Sequence, residues 1–191
     1  MYWGANSVLT REEALTLLRQ YLHDDKMIKH CIAVEAIMRK LAERLGENQE
    51  LWGLVGLLHD VDYEETSSSP QVHGLKSAEM LEGMLPQEAL EAIKAHNELT
   101  GFNCSSRLSY ALAASDQVSG LIVASALVMP NKKLSEVKLS TLKKKLKQKD
   151  FARGVNREKI ISLPEKLGLT LDEFLELSLK ALQSISGDLG L

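Results

Sequence analysis

Apolar residues recur at helical spacing in segment after segment of this chain. Thr10 and Glu13 form a capping-box pattern, and Ala14, Leu15, Leu17 and Leu18 carry a helix to about Leu22. A longer helix is predicted over 25–45, with Gly46 as its stop and Val34, Ile37, Met38, Leu41 and Leu45 as its inward stripe. One turn back, that stripe reaches His30. Residues 48–60, capped by Asn48, form the next helix: Leu51, Leu54, Val55 and Leu58 face inward, and Gly53 and Gly56 permit a close neighbour. The segment 61–71 has no periodicity and reads as a loop. Helices are then predicted over 72–84 and from Pro86, the second carrying Ala89, Ala92, Ile93 and His96 along one side. After a loop at 100–104, Ser105 or Ser106 caps the most apolar helix, which stops before Pro130 and has a face of small residues that includes Ser109, Ser119 and Gly120 around Asp116. A basic helix near 140–149, a short one over 156–166 and a last one capped by Thr170 complete an all-α prediction.

Composition agrees. Of 191 residues, 45% are hydrophobic and only 5% aromatic, a balance that favours helix packing over a β-sandwich. The amino terminus lacks the basic start and apolar core of a leader, and no run reads as a membrane span, so a cytoplasmic protein with no membrane partner is expected. Cys31 and Cys104 lie far apart without a CxxC pattern, which points to free thiols and not to a thiolate metal site.

The stretch GLLHDVDYEE, 56–65, runs a core helix into His59 and Asp60. A single histidine on an apolar face is most often a hydrogen-bonded core residue. Here four, His30, His59, His73 and His96, share inward positions or helix ends with two acids, Asp60 and Asp116. Buried carboxylates are costly unless paired, and no Lys or Arg falls on these faces. A divalent cation would neutralise both acids and take neutral imidazoles as ligands; hydrogen-bonded His–Asp pairs without metal are the alternative. Oxygen and nitrogen donors without thiolate suit Mn, Fe, Co, Ni or Zn alike.

His30, then His59-Asp60, then Asp116, each on a separate helix, resembles the HD domain superfamily of metal-dependent phosphohydrolases over about 27–128. HGLKSAEML at 73–81 and IKAHNE at 93–98 are similar to the accessory histidine segments of its HDIG subgroup, although Ser77 replaces a small glycine there and Asp62 stands where HDIG has glycine. The resemblance implies an all-α, phosphodiesterase-like helical bundle, with residues 1–130 as the core and N-terminal helix and 131–191 as a helical extension packed on the same domain. It implies one metal on His30, His59, Asp60 and Asp116, and a second metal, or the substrate phosphate, on His73 and His96. The expected catalytic set is Asp60, His73 and His96. The expected activity is hydrolysis of a phosphomonoester or phosphodiester, a small nucleotide or phosphorylated metabolite, through a metal-activated water.

Several further groups are candidates for the substrate: Lys76 three residues after His73, and Asn97 beside His96. Asp62 and Glu64 either orient the metal-binding groups, donate a proton to the leaving group, or face water in the loop. From Lys132 to Arg157 ten Lys or Arg stand against two acids, so this stretch carries +8 and the rest −11. Apolar Leu142, Leu146 and Phe151 under the lysines, and the lack of other aromatics, make a solvated helix face a better reading than nucleic-acid binding. Within it, Arg153, Asn156 and Arg157 sit in a turn and helix start suited to a phosphate. Two other readings stand beside the hydrolase: a dinuclear-iron oxygenase on the same frame, and a non-catalytic nucleotide- or nucleic-acid-binding module.

Overall fold

A computed structural model describes residues 9–191; the amino-terminal stretch 1–8, read above for leader features, lies outside the described residues. Ten α-helices follow in order: α1 (Arg11–Tyr21), α2 (Asp25–Leu45), α3 (Gln49–Leu58), α4 (Leu75–Met80), α5 (Gln87–His96), α6 (Arg107–Leu127), α7 (Leu139–Lys147), α8 (Arg157–Lys166), α9 (Leu171–Ser184) and α10 (Ser186–Leu189). The described residues contain no strand, and the all-α fold is as the sequence predicts.

The caps largely follow the sequence. Thr10 and Glu13 make the reciprocal capping box of α1, Asn48 accepts from the Leu51 amide, Ser106 from the Ser109 amide, and Gly46 ends α2 in the left-handed region at φ 71°. Two boundaries differ. Instead of running to residue 60, α3 ends at Leu58, and the His59 ring turns back to the carbonyl of Gly56. The helix predicted over 72–84 shrinks to Leu75–Met80, because Gly74, at φ 88°, redirects the chain and the buried Asp62 carboxylate accepts the amides of Gly74 and Ser77 at its start.

Helix α6 runs through the middle of the bundle, against α2, α5 and α8. It is long and apolar enough to cross a membrane, yet 61% of its most apolar window is buried inside the protein. A core helix passes the same test for a different reason: it must be apolar on nearly every side. Helix α9 lies on α2, and α7 packs on α6 and α9 with Leu142 and Leu146 buried beneath its lysines.

The tightest packing sets up the site. Helices α2 and α3 approach so closely at Gly56 that a Cβ there would lie 2.9 Å from the Glu35 Cα. Glu35 itself is only 2% exposed and is held by Arg11 at 2.6 Å and Arg39 at 2.9 Å, which joins α1 and α2 around one buried charge. Arg39 continues to Glu50 on α3 at 2.7 Å.

Gly56→Ala is expected to lower stability in urea by about 1–3 kcal/mol, the usual cost of overpacking a core, because backbone and not a flexible side chain stands in the way.

Candidate metal centre

Five consecutive helices, α2 to α6, bring the six predicted residues together. His30 comes from the second turn of α2, His59 caps the C-terminal end of α3 with Asp60 next in the turn, His73 precedes α4, His96 closes α5, and Asp116 lies midway along α6. The donor atoms converge. Asp60 Oδ1 lies 3.2 Å from Nε2 of each of His59, His73 and His96, and Asp116 Oδ1 lies 3.2 Å from Nε2 of His30. His59 Nε2 is 3.9 Å from Asp116 Oδ1, and His30 Nε2 is 3.6 Å from Asp60 Oδ2, so the two carboxylates share neighbours.

Every imidazole is oriented by its other nitrogen. Carbonyl oxygens only accept, so Nδ1 of His59, 2.8 Å from Gly56 O, and Nδ1 of His96, 2.6 Å from Ile93 O, must carry hydrogen. His73 Nδ1 donates to Asp62 Oδ1 at 2.7 Å. The Ser119 hydroxyl donates to the Asp116 carbonyl at 2.7 Å and is therefore left to accept from His30 Nδ1 at 3.3 Å. In each neutral ring the Nε2 lone pair then faces inward, the tautomer a metal ligand needs.

Electrostatics sharpen the point. Burial pushes His59 down to about 4 despite neighbouring Asp60, so its Nε2 bears no proton at neutral pH. Burial acts against charge on His73 as well, but the neighbouring Asp60 and Asp62 carboxylates raise it to about 10. Asp116 is held at about 2, burial being outweighed by His30. His59 Nε2 and Asp60 Oδ1 are both fully enclosed and without a hydrogen-bond partner. Two buried acceptors facing each other at 3.2 Å are costly on their own, and a cation between them removes that cost.

A divalent cation fits. Ligands each 2.0–2.1 Å from one ion are about 2.9–3.4 Å apart at octahedral to tetrahedral angles, the range of the closest separations here. Two overlapping groups have ligand atoms within 4.8 Å of one another: His30, His59 and Asp116, and His59, Asp60 and His96.

The remaining predicted residues divide. Asn97 and Asn156 line the cleft that opens over the centre, about 490 Å³ in volume, but both have structural duties: Asn97 donates to the carbonyls of Pro70 and His73, and Asn156 caps α8. Lys76, Arg153 and Arg157 do not line it. Lys76 pairs with Glu79 at 3.3 Å, Arg153 pairs with Asp150 at 3.1 Å, and the Arg157 guanidinium is occupied by the carbonyls of Leu146, Gln148, Phe151 and Val155. Of the two undecided acids, Asp62 is fully buried against His73, whereas Glu64 accepts the amides of His23 and Asp24 ahead of α2, outside the cleft.

Tyr63, Gln117 and Lys159 are among the lining residues that escaped the sequence reading. Gln117 donates to Asp116 Oδ2 at 2.7 Å and accepts the Asn156 amide at 2.7 Å, which ties α8 to the centre. Its position directly after Asp116 was its only signal. Lys159 falls just past the basic run and had none.

An all-helical bundle that gathers imidazoles and carboxylates from separate helices around one buried point defines a class of metal-site domains. The HD domain model matches residues 27–125, just over half of the chain, and the chain belongs to the HD domain family. That family is one of metal-dependent phosphohydrolases, and the His/Asp groups here can hold the metal. Comparisons with curated proteins and with solved structures return no match.

Asp62→Ala is expected to weaken metal binding by about 10–100-fold, because His73 loses the partner that orients it. Calorimetric titration with Mn or Co checks this. Asp62→Asn retains an oxygen for the α4 amides and is expected to lose less.

Proposed function

We propose that this protein hydrolyses a small phosphate ester at the centre formed by His30, His59, Asp60, His73, His96 and Asp116. The observation that carries the reading is the enclosed, partnerless pair His59 Nε2 and Asp60 Oδ1 at the floor of an open cleft. A divalent cation bound there supplies a Lewis acid that acidifies water and neutralises phosphoryl oxygens.

The chain's own groups supply the rest. His59 and His96, fixed by helix carbonyls, hold their Nε2 atoms rigidly toward Asp60. Asp60, at 5% exposure, forms the floor, while Asp116, more open, faces the cleft with one oxygen bound to Gln117. Substrate therefore enters from the side of Asp116, Tyr63 and Asn97, where the cleft is lined, and water enters with it. The lysines of α7 lie over a buried apolar stripe, and Lys143 is paired with Asp172 at 2.7 Å, which favours a solvated face over a nucleic-acid surface.

Chelation of the purified protein is expected to lower Tm by about 5–11 °C relative to protein with metal at 100 times Kd. Such saturation stabilises by about 2.7 kcal/mol, and each kcal/mol moves Tm by about 2–4 °C at this size. Differential scanning fluorimetry with Mn, Fe, Co, Ni and Zn tests both the loss and its reversal.

A phosphate-release screen with the same metals tests the activity. Asp116→Asn is expected to reduce turnover by at least about 10-fold, the low end for disturbing even a group that only orients a metal ligand. Activity with iron alone that disappears without O₂ would replace this reading by the oxygenase. Phosphorylated ligands bound tightly but never turned over would replace it by the binding module.

A further inference from the structure

Helix α8 brings one basic residue to the cleft. Among the described residues, Lys159 is the only lysine or arginine lining it. Its ammonium donates to the carbonyl of His96 at 3.1 Å and pairs with Glu98 at 3.2 Å, and its side chain is only 16% exposed. The two partners differ in kind. The His96 carbonyl is one of the free acceptors at the C-terminal end of α5, which fixes where the ammonium sits. Glu98, by contrast, has a side chain 68% exposed, and a pair with so solvated a carboxylate is weak. An ammonium so placed has one anchored bond and one replaceable counter-ion.

Building on the proposed hydrolase activity, we infer that Lys159 is the anion-recognition group of the cleft, and that the substrate is a phosphomonoester carrying a single, dianionic phosphate. Glu98 occupies the position that a phosphate oxygen takes over when substrate arrives. The charge count selects the class. A cation at the centre takes part of the phosphate charge, and beyond it Lys159 is the only ammonium or guanidinium among the described residues lining the cleft, set against Glu98. A single phosphate, about −1.5 to −2 at pH 7, is the most that such a cleft balances, and a di- or triphosphate chain exceeds it. The organic part meets Met27, Tyr63 and Leu99. The amides nearby are already engaged, Gln117 with Asp116 and Asn156, and Asn97 with the carbonyls of Pro70 and His73, so apolar contact is what remains to receive it.

Orthophosphate titrated into the metal-loaded protein reads the role of Lys159 without turnover. Lys159→Gln is expected to weaken phosphate binding about tenfold, the loss of one charge-assisted hydrogen bond, with metal content unchanged. Lys159→Arg is expected to retain most of the affinity, and Glu98→Ala to bind phosphate more tightly. In turnover, Lys159→Gln should raise KM for p-nitrophenyl phosphate, a dianionic monoester, about tenfold, and that for bis(p-nitrophenyl) phosphate, a monoanionic diester, by less than about threefold. Phosphate binding that is absent from the parent protein or unchanged in Lys159→Gln, equal losses on both esters, or loss of metal along with phosphate would each overturn the inference. The last would show the bond to His96 to be its whole role. Lys159-dependent phosphate binding without hydrolysis of any ester would instead leave this inference standing and remove the hydrolase reading beneath it.

Discussion

Asp60 lies in the core with three imidazole Nε2 atoms 3.2 Å from one of its oxygens and, among the described residues, no lysine or arginine paired with it. The same core shows what ordinary compensation looks like. Glu35 is equally buried, and two arginines reach it at 2.6 and 2.9 Å. One carboxylate is neutralised by side chains, the other is surrounded by groups that are good ligands and poor counter-ions. Desolvating an unpaired carboxylate costs several kcal/mol, so the enclosed Asp60 oxygen favours a bound cation among its imidazole neighbours.

The way those imidazoles are held links fold to chemistry. A helix leaves its last four carbonyls without intrahelical partners. His59 and His96 each sit at the C-terminal end of a helix and donate Nδ1–H to the carbonyl three residues back, Gly56 O and Ile93 O. One bond satisfies a stranded carbonyl, ends the helix and fixes the tautomer. Gly56 takes part twice, since its missing Cβ is also what lets α3 approach α2 and brings His59 toward His30. Asp62 performs the corresponding task at a helix start: one oxygen orients His73, and the other accepts the amides that begin α4.

These arrangements explain what the sequence revealed and what it concealed. Helices α1, α2, α5 and α6, and the start of α3, were legible because caps and apolar periodicity agree there, and the six central residues were conspicuous as polar groups that interrupt apolar stripes. The extent of α4 was not, since the positive φ of Gly74 and the reach of Asp62 across twelve residues leave no periodic trace. Nor was the exclusion of Arg157, a typical phosphate ligand by type and place. Its guanidinium is committed to four backbone carbonyls, contacts that depend on how α7 and α8 are joined. Glu64 shows the converse, an acid beside the motif whose partners lie forty residues earlier in the chain.

Charge along the carboxy-terminal third shows why density is a poor guide to function. The run from Lys132 to Arg157 holds ten basic residues, yet its members are distributed among solvent, an ion pair with Asp172, an ion pair with Asp150 and the interior staple made by Arg157. Lys159, two residues beyond, is the basic side chain of this region that lines the cleft. What selects it is the direction of α8, set by the Asn156 cap and by the bond between the Asn156 amide and Gln117. Gln117 in turn holds Asp116. The segment beyond α6 is thus registered to the candidate metal centre through the neighbour of one of its candidate ligands, and a shift of α8 along α6 would alter the cleft's charge and the hydrogen bonding of Asp116 together.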